Sequence, residues 1–79
     1  MFELDDIVLD GDIISMDCHI VDSSLIRPDF FLKYNFKTDE ILSDTTDVYD
    51  GYLREIIKCI KFHILPKKEI PKDYVYAWY

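Results

Sequence analysis

Hydrophobic residues alternate with polar ones in the first half of this 79-residue chain and recur every three or four residues in the second half. Alternation is typical of a half-buried strand, and the longer spacing is typical of a helix with one buried face. Asp10-Gly11 separates two short apolar runs, and Asp-Gly readily adopts the positive φ of a hairpin turn. We therefore predict a hairpin whose second strand points inward with Ile14, Met16, Cys18 and Ile20 and outward with Ser15, Asp17 and His19.

A third strand is predicted from Phe30 to Lys37, where every second residue is apolar. Its inward side chains would be Phe30, Leu32, Tyr34 and Phe36, and Phe31 would lie outward with Lys33, Asn35 and Lys37. Asp22-Ser23-Ser24 and Arg27-Pro28 are predicted to form a connection, because Pro28 has no N–H to donate to a sheet. Ile41-Leu42-Ser43 is predicted to return as a fourth strand.

From Thr46 the apolar spacing becomes helical, with a single stripe of Tyr49, Leu53, Ile56, Ile57, Ile60 and Ile64. Thr46 or Asp47 is the predicted N-cap, because either side chain can accept hydrogen bonds from the first free N–H groups. Pro66 cannot continue a helix, so we expect the helix to end near Leu65.

The aromatic segment Tyr74 to Tyr79 has the composition of a strand. We expect it to pair with the sheet and to place Val75 and Trp78 or Tyr76 against the core, although an exposed aromatic contact surface is the alternative. The predicted fold is thus α+β, with an antiparallel sheet of four to five strands packed on one long helix in the C-terminal half (order β-β-β-β-α-β). A chain this short supports one hydrophobic core, so residues 1–79 are predicted to form one domain.

The two cysteines, Cys18 and Cys59, are fewer than a disulfide-stapled secreted domain of this size usually has. The N-terminus lacks the pattern of a signal peptide, and no apolar run approaches the roughly 20 residues that cross a bilayer. We expect a soluble cytoplasmic protein.

Negative charge is concentrated in the strand region of the chain. Residues 1–50 contain thirteen Asp or Glu against three Lys or Arg, whereas residues 51–79 contain three against six. The first part therefore has a net charge of −10 and the second +3. Because one sheet face is buried, the carboxylates should crowd onto the other face and the turns. Such a surface repels nucleic acids and anionic membranes and attracts basic proteins.

This charge pattern predicts a noncatalytic module that binds a basic protein, such as a nuclease or another nucleic-acid-binding protein. Small acidic inhibitors of this kind include toxin-immunity proteins and phage-encoded inhibitors. The predicted partner-binding residues are Asp5, Asp6, Asp10, Asp12, Asp17, Asp22, Asp39 and Glu40. Two alternatives remain open: the charge serves only solubility, or the chain is a small structural or homodimerising protein.

Candidate catalytic and metal-binding patterns are weak. Asp10-Gly11-Asp12 lacks the ligand spacing of a calcium-binding loop and is predicted to be a turn. Cys59 and His63 lie four residues apart, and with Cys18 and His19 they would complete a Cys₂His₂ zinc set. Neighbouring strand residues face opposite ways, however, so Cys18 and His19 should not bind one ion together. We predict no catalytic residue, metal or cofactor, and Cys59 with His63 is the pair to test for an enzyme.

Overall fold

An antiparallel sheet followed by a helix forms the observed architecture, so the α+β prediction is confirmed. The structure is a computed structural model and describes residues 1–22, 25–26 and 29–76. The helix α1 spans Asp50–Cys59 and continues as a π-helical segment over Ile60–Ile64. The strands are β1 (Phe2–Asp10), β2 (Ile13–Asp22), β3 (Leu25–Ile26), β4 (Phe30–Asn35), β5 (Glu40–Ile41) and β6 (Tyr74–Tyr76).

The strand order is β5-β4-β2-β1-β6, with the short β3 paired to the end of β2. All pairs are antiparallel. The predicted hairpin joins β1 to β2, and Gly11 in its turn has a φ of 61°, a conformation that glycine adopts without strain. The last strand returns to pair with the first, which leaves β5 and β6 at the two edges of the sheet.

The core lies between one sheet face and the helix. All four predicted inward residues of β2 are buried, as are Leu32 and Tyr34 of β4, so both alternation predictions are confirmed. β1 contributes Phe2, Leu4 and Ile7. From the helical side the buried residues are Leu53, Ile56, Cys59, Ile60 and Ile64. The predicted stripe is therefore correct except for Tyr49, which is exposed, and Ile57, which is half-buried.

A bulge interrupts β1 opposite Met16. Asp5 pairs with Asp17 and Val8 with Ser15, so Asp6 and Ile7 together occupy the place of one residue. Asp6 has a φ of 51°, and Ile7 still reaches the core. The two N–H groups freed by the bulge are satisfied by the segment before β6. Asp6 N–H donates to Asp73 Oδ1 at 3.3 Å, and Ile7 N–H donates to the Lys72 carbonyl at 2.8 Å.

The bounds of β4 and β5 differ from prediction at places where a side-chain oxygen, and not a main-chain carbonyl, accepts the hydrogen bond of an N–H group. β4 stops at Asn35 rather than Lys37, because Asn35 Oδ1 accepts the N–H groups of Lys37 and Thr38 and closes a turn. The fourth predicted strand is Glu40–Ile41 rather than Ile41 to Ser43. Ser43 still contacts β4, but its Oγ, not its carbonyl, accepts the Lys33 N–H at 2.9 Å.

The helix begins four residues later than predicted, and neither Thr46 nor Asp47 is its N-cap. Tyr49 occupies that position with no capping hydrogen bond from its side chain. Asp44 accounts for the difference, because its Oδ1 accepts both the N–H and the hydroxyl of Thr46 and holds a turn in place of the helix. At the other end the chain leaves the helix at Leu65, before Pro66, as predicted.

The connection after β2 and the C-terminal segment each differ in part from prediction. Within the expected connection, Leu25–Ile26 forms β3, while Ser23, Ser24, Arg27 and Pro28 lie outside the described residues. β6 pairs with the sheet as expected, its partner is β1, and the centroids of the stacked Tyr76 and Phe2 rings are 5.1 Å apart. Val75 does not face the core but is 59% exposed, because strand alternation points it away from the helix. Trp78 lies outside the described residues.

We expect Asp6→Val to destabilise the fold by about 1–2 kcal/mol, because a β-branched side chain is disfavoured at positive φ. Asp5→Val is the matched control, since it removes the same charge from an exposed strand position without the special backbone. Urea denaturation would measure both. Equal stability of the two variants would contradict the assigned bulge conformation.

Candidate functional site

The sheet face opposite the helix is formed by the outward residues of four strands and is called here the open face. Directly paired residues in an antiparallel sheet project to the same side. The register therefore aligns Glu3 with His19 and Val75, and Asp5 with Asp17. Asp17 is also paired with Phe31 of β4, and Ser15 with Val8 and Lys33. The helix covers none of these positions, so their side chains meet the solvent.

Carboxylates are crowded at the centre of the open face. Asp5 and Asp17 are direct partners on β1 and β2, an arrangement that destabilises a strand pair when both are charged. Partial desolvation raises the pKa of Asp5, and so does repulsion from its neighbours Asp73, Glu3, Asp6 and Asp17. An external cation would relieve this repulsion. We call Asp5, Asp17 and Asp73 the carboxylate row.

Apolar side chains border the carboxylate row. Phe31, directly opposite Asp17, is 49% exposed, and Val8 and Val75 are 56% and 59% exposed. An exposed phenylalanine adds nothing to solubility, whereas aromatic side chains are enriched at the centres of protein interfaces. The open face thus combines negative charge with an apolar border.

A histidine and an aspartate are paired at one end of the open face. The His19 imidazole contacts the Asp29 carboxylate, and this hydrogen bond raises the pKa of His19. The negative charges of Glu3 and Asp5 also raise the pKa of His19, because they favour its protonated ring. Asp29 therefore holds His19 on the open face, whereas Cys18, the preceding residue of β2, is buried in the core.

The predicted partner-binding residues are divided among several places. Asp5, Asp6 and Asp17 lie together, while Asp10 and Asp12 are exposed at the hairpin end. Glu40 is exposed on the edge strand β5. The described residues do not include the side chain of Asp22.

Asp39 lies on the helix-covered side of the sheet, apart from the carboxylate row. Lys61 Nζ donates to its Oδ1 at 3.2 Å, and the Tyr34 hydroxyl donates to the same oxygen. These two hydrogen bonds, that from Tyr34 first, lower the pKa of Asp39. The carboxylate is already partnered within the chain and joins the turn after β4 to the π-helical segment.

The two cysteines considered in the sequence are buried, whereas His19 is half-buried and His63 is exposed. Cys18 and Cys59 are buried and free, and burial raises their pKa values to about 12 and about 11. Both thiols are therefore protonated near neutral pH. His63 is exposed and packs on the rings of Tyr74 and Tyr76. Within residues 1–22, 25–26 and 29–76, no three His, Cys, Asp or Glu side chains are grouped to hold a metal ion.

Sequence reasoning missed Glu3 and Asp73 as neighbours of Asp5. Asp73 joins the row only because β6 pairs with β1, a contact between the two ends of the chain. The alternation of Asp73 and Val75 with Tyr74 and Tyr76 indicates which side chains share a face. It could have placed Asp73 near Asp5 only if the partner strand of β6 had been known.

Comparisons of the chain with protein-family models, with curated proteins and with solved structures found no match. No helix among the described residues has the length and apolar character needed to cross a membrane.

We expect Asp5→Asn to raise the melting temperature at pH 7. A carboxylate with a raised folded pKa stabilises the protein fully below its unfolded pKa of about 3.8, and that contribution is lost as the pH rises through the folded pKa. The gain from Asn should thus shrink below about pH 4 and in high salt. Thermal melts across this range would measure it, with Asp10→Asn, whose strand partner is Ile13, as the control. A gain independent of pH would show that the ionised Asp5 carboxylate is not its cause.

Proposed function

We propose that this protein is a noncatalytic binding module that docks its open face on a basic protein surface. The observation that carries the proposal is the exposed Phe31 beside the carboxylate row. Charged residues alone would account for solubility, but an exposed aromatic side chain among them suits a contact with another protein.

Charge complementarity favours a basic partner. The chain has a net charge of −7, and the strand register places Asp17 directly opposite Asp5 at the centre of the open face. Lysine or arginine side chains placed there would remove a repulsion that the free protein retains. Long-range attraction would also speed the approach of a basic partner. An inhibitor that covers the substrate groove of a nuclease or another nucleic-acid-binding protein fits this chemistry.

A homodimer is the second candidate. Its support is the edge strand β6, whose outer edge has no strand beside it among the described residues. Two open faces, in contrast, would bring carboxylate rows together and repel each other. Sedimentation equilibrium of the protein would detect such a dimer.

The central test compares two double variants that each remove two negative charges. Asp5→Asn/Asp17→Asn alters the carboxylate row, and Glu55→Gln/Glu69→Gln alters the helix and the loop after it. The tagged protein would capture partners from a lysate of the source organism, and calorimetry with the purified partner would measure affinity. We expect the first variant to weaken binding at least tenfold, about 1.4 kcal/mol, and the second less than threefold.

Stability separates lost binding from lost folding in this experiment. Relief of repulsion should make Asp5→Asn/Asp17→Asn more stable than the original protein, so weaker binding could not be ascribed to unfolding. Equal losses from both double variants would indicate a general charge effect. Unchanged affinity in the first variant would refute docking through the open face.

Phe31 supplies a second prediction for the same partner. We expect Phe31→Ala to lower the free energy of unfolding by only about 1 kcal/mol, since about half of the side chain is already exposed, yet to weaken binding about tenfold. Leu32→Ala, at the adjacent inward position, should instead cost about 2–5 kcal/mol of stability. Urea denaturation and calorimetry would measure the two effects. Unaltered affinity of Phe31→Ala would exclude the ring from the interface.

A further inference from the structure

A cavity of about 260 Å³ lies where one end of the sheet meets the start of the helix. Its volume falls just below the roughly 300–1,000 Å³ of sites for drug-sized ligands, so it suits a single side chain or a small head group. Three aromatic residues and three carboxylates contribute to its lining: Phe30, Tyr49, Tyr52, Asp29, Asp44 and Asp47.

The electrostatics of this cavity favour a cation. The described lining residues include no Lys, Arg or His. Asp29 is already paired with the His19 imidazole, so Asp44 and Asp47 are the lining carboxylates that no cation among the described residues balances. The nearby helix N-terminus contributes only about half a positive charge. Asp44 uses one oxygen for both bonds to Thr46, and Asp47 makes no hydrogen bond or ion pair with the described chain. Carboxylate oxygens are therefore available to a ligand.

Gly51 lies against the Tyr49 ring, one of the three aromatic side chains that line the cavity. Tyr49 is 68% exposed, and its ring meets Tyr52 edge to face at 5.5 Å. A Cβ on Gly51 would lie 2.4 Å from the Tyr49 ring, so only glycine leaves the ring in this position. Gly51 is helical and needs no positive φ, and glycine disfavours a helix by about 1 kcal/mol relative to alanine. The glycine thus serves the placement of the ring rather than the backbone.

The arrangement suits an organic cation better than a metal ion. The carboxylates do not converge into a metal-binding group anywhere in the part of the chain that the structure describes. Aromatic faces attract ammonium groups through their negative quadrupole, and cages of aromatic residues recognise alkylated ammonium ions. We propose that this cavity binds an alkylammonium group, as presented by a lysine or methylated lysine side chain or by a small quaternary amine. The proposal is independent of docking through the open face.

Titration of the full chain with defined probes tests the proposal. The probes are choline and three versions of one short peptide that has no other charge and carries lysine, trimethyllysine or acetyllysine at its centre. Backbone amide NMR spectra would report where each binds. We expect shifts at residues 29–30 and 44–52 with the cationic probes and none with acetyllysine, which has the length but not the charge. Tighter binding of a peptide than of choline would assign the site to a protein side chain, and the reverse would assign it to a free amine.

Two variants and two controls locate the binding. We expect Tyr49→Ala to weaken it about three- to thirtyfold, the range that cation–π contacts span. Gly51→Ala keeps every ring and carboxylate but should displace the Tyr49 ring, so it should also weaken binding while the helix becomes no less stable. Phe62→Ala removes another exposed aromatic side chain, and Asp5→Asn/Asp17→Asn alters the open face. Both controls should bind the probes as the original protein does.

The proposal would be overturned by equal binding of the acetyllysine peptide, by the absence of binding to every cationic probe at tens of millimolar, or by unchanged affinity in Tyr49→Ala. Loss of binding in the open-face variant would place the probes on the carboxylate row instead. Because no partner protein is used, these outcomes are separate from those of the docking experiment.

Discussion

One helix covers one face of the sheet, and this one-sided burial determines where every strand residue lies. Side chains of β1, β2 and β4 point alternately into the core and onto the open face, so a shift of one residue would bury carboxylates and expose the core. Fourteen hydrophobic residues are buried among those described, and no charged one is. The same pleat that forms the core therefore also concentrates the acidic residues on the opposite side.

The bulge at Asp6 allows the apolar Ile7 to be buried although strand alternation alone would point it outward. By adding one residue to β1, it returns Ile7 to the core and Val8 to the open face. The free N–H groups that result are bonded by Lys72 and Asp73, which draws the last strand against the first. A local irregularity in the first strand thus fixes the position of the C-terminal segment and supplies the third member of the carboxylate row.

Patterns within single elements were predictable from the sequence, and contacts between distant residues were not. Alternation correctly identified the inward faces of β2 and β4, and the three-to-four spacing identified the helix. The predicted ends of strands and of the helix were wrong where a side chain accepts main-chain hydrogen bonds, as Asn35 and Asp44 do. The excess of acidic residues was evident from the sequence, but the position of Asp73 beside Asp5 depends on the pairing of β6 with β1, which the sequence did not indicate. The cavity near Tyr49 was not predictable, because it joins residues from strand, loop and helix.

The electrostatic strain on the open face bears directly on how a partner would bind. The free protein holds Asp5 beside four other carboxylates, and each contributes to its raised pKa. A cationic partner would favour the ionised form and lower that pKa again, so binding and proton release are thermodynamically linked. In a complex with such a partner, the repulsion among these carboxylates would be relieved. This gain would be greatest at a pH where the carboxylates are fully ionised.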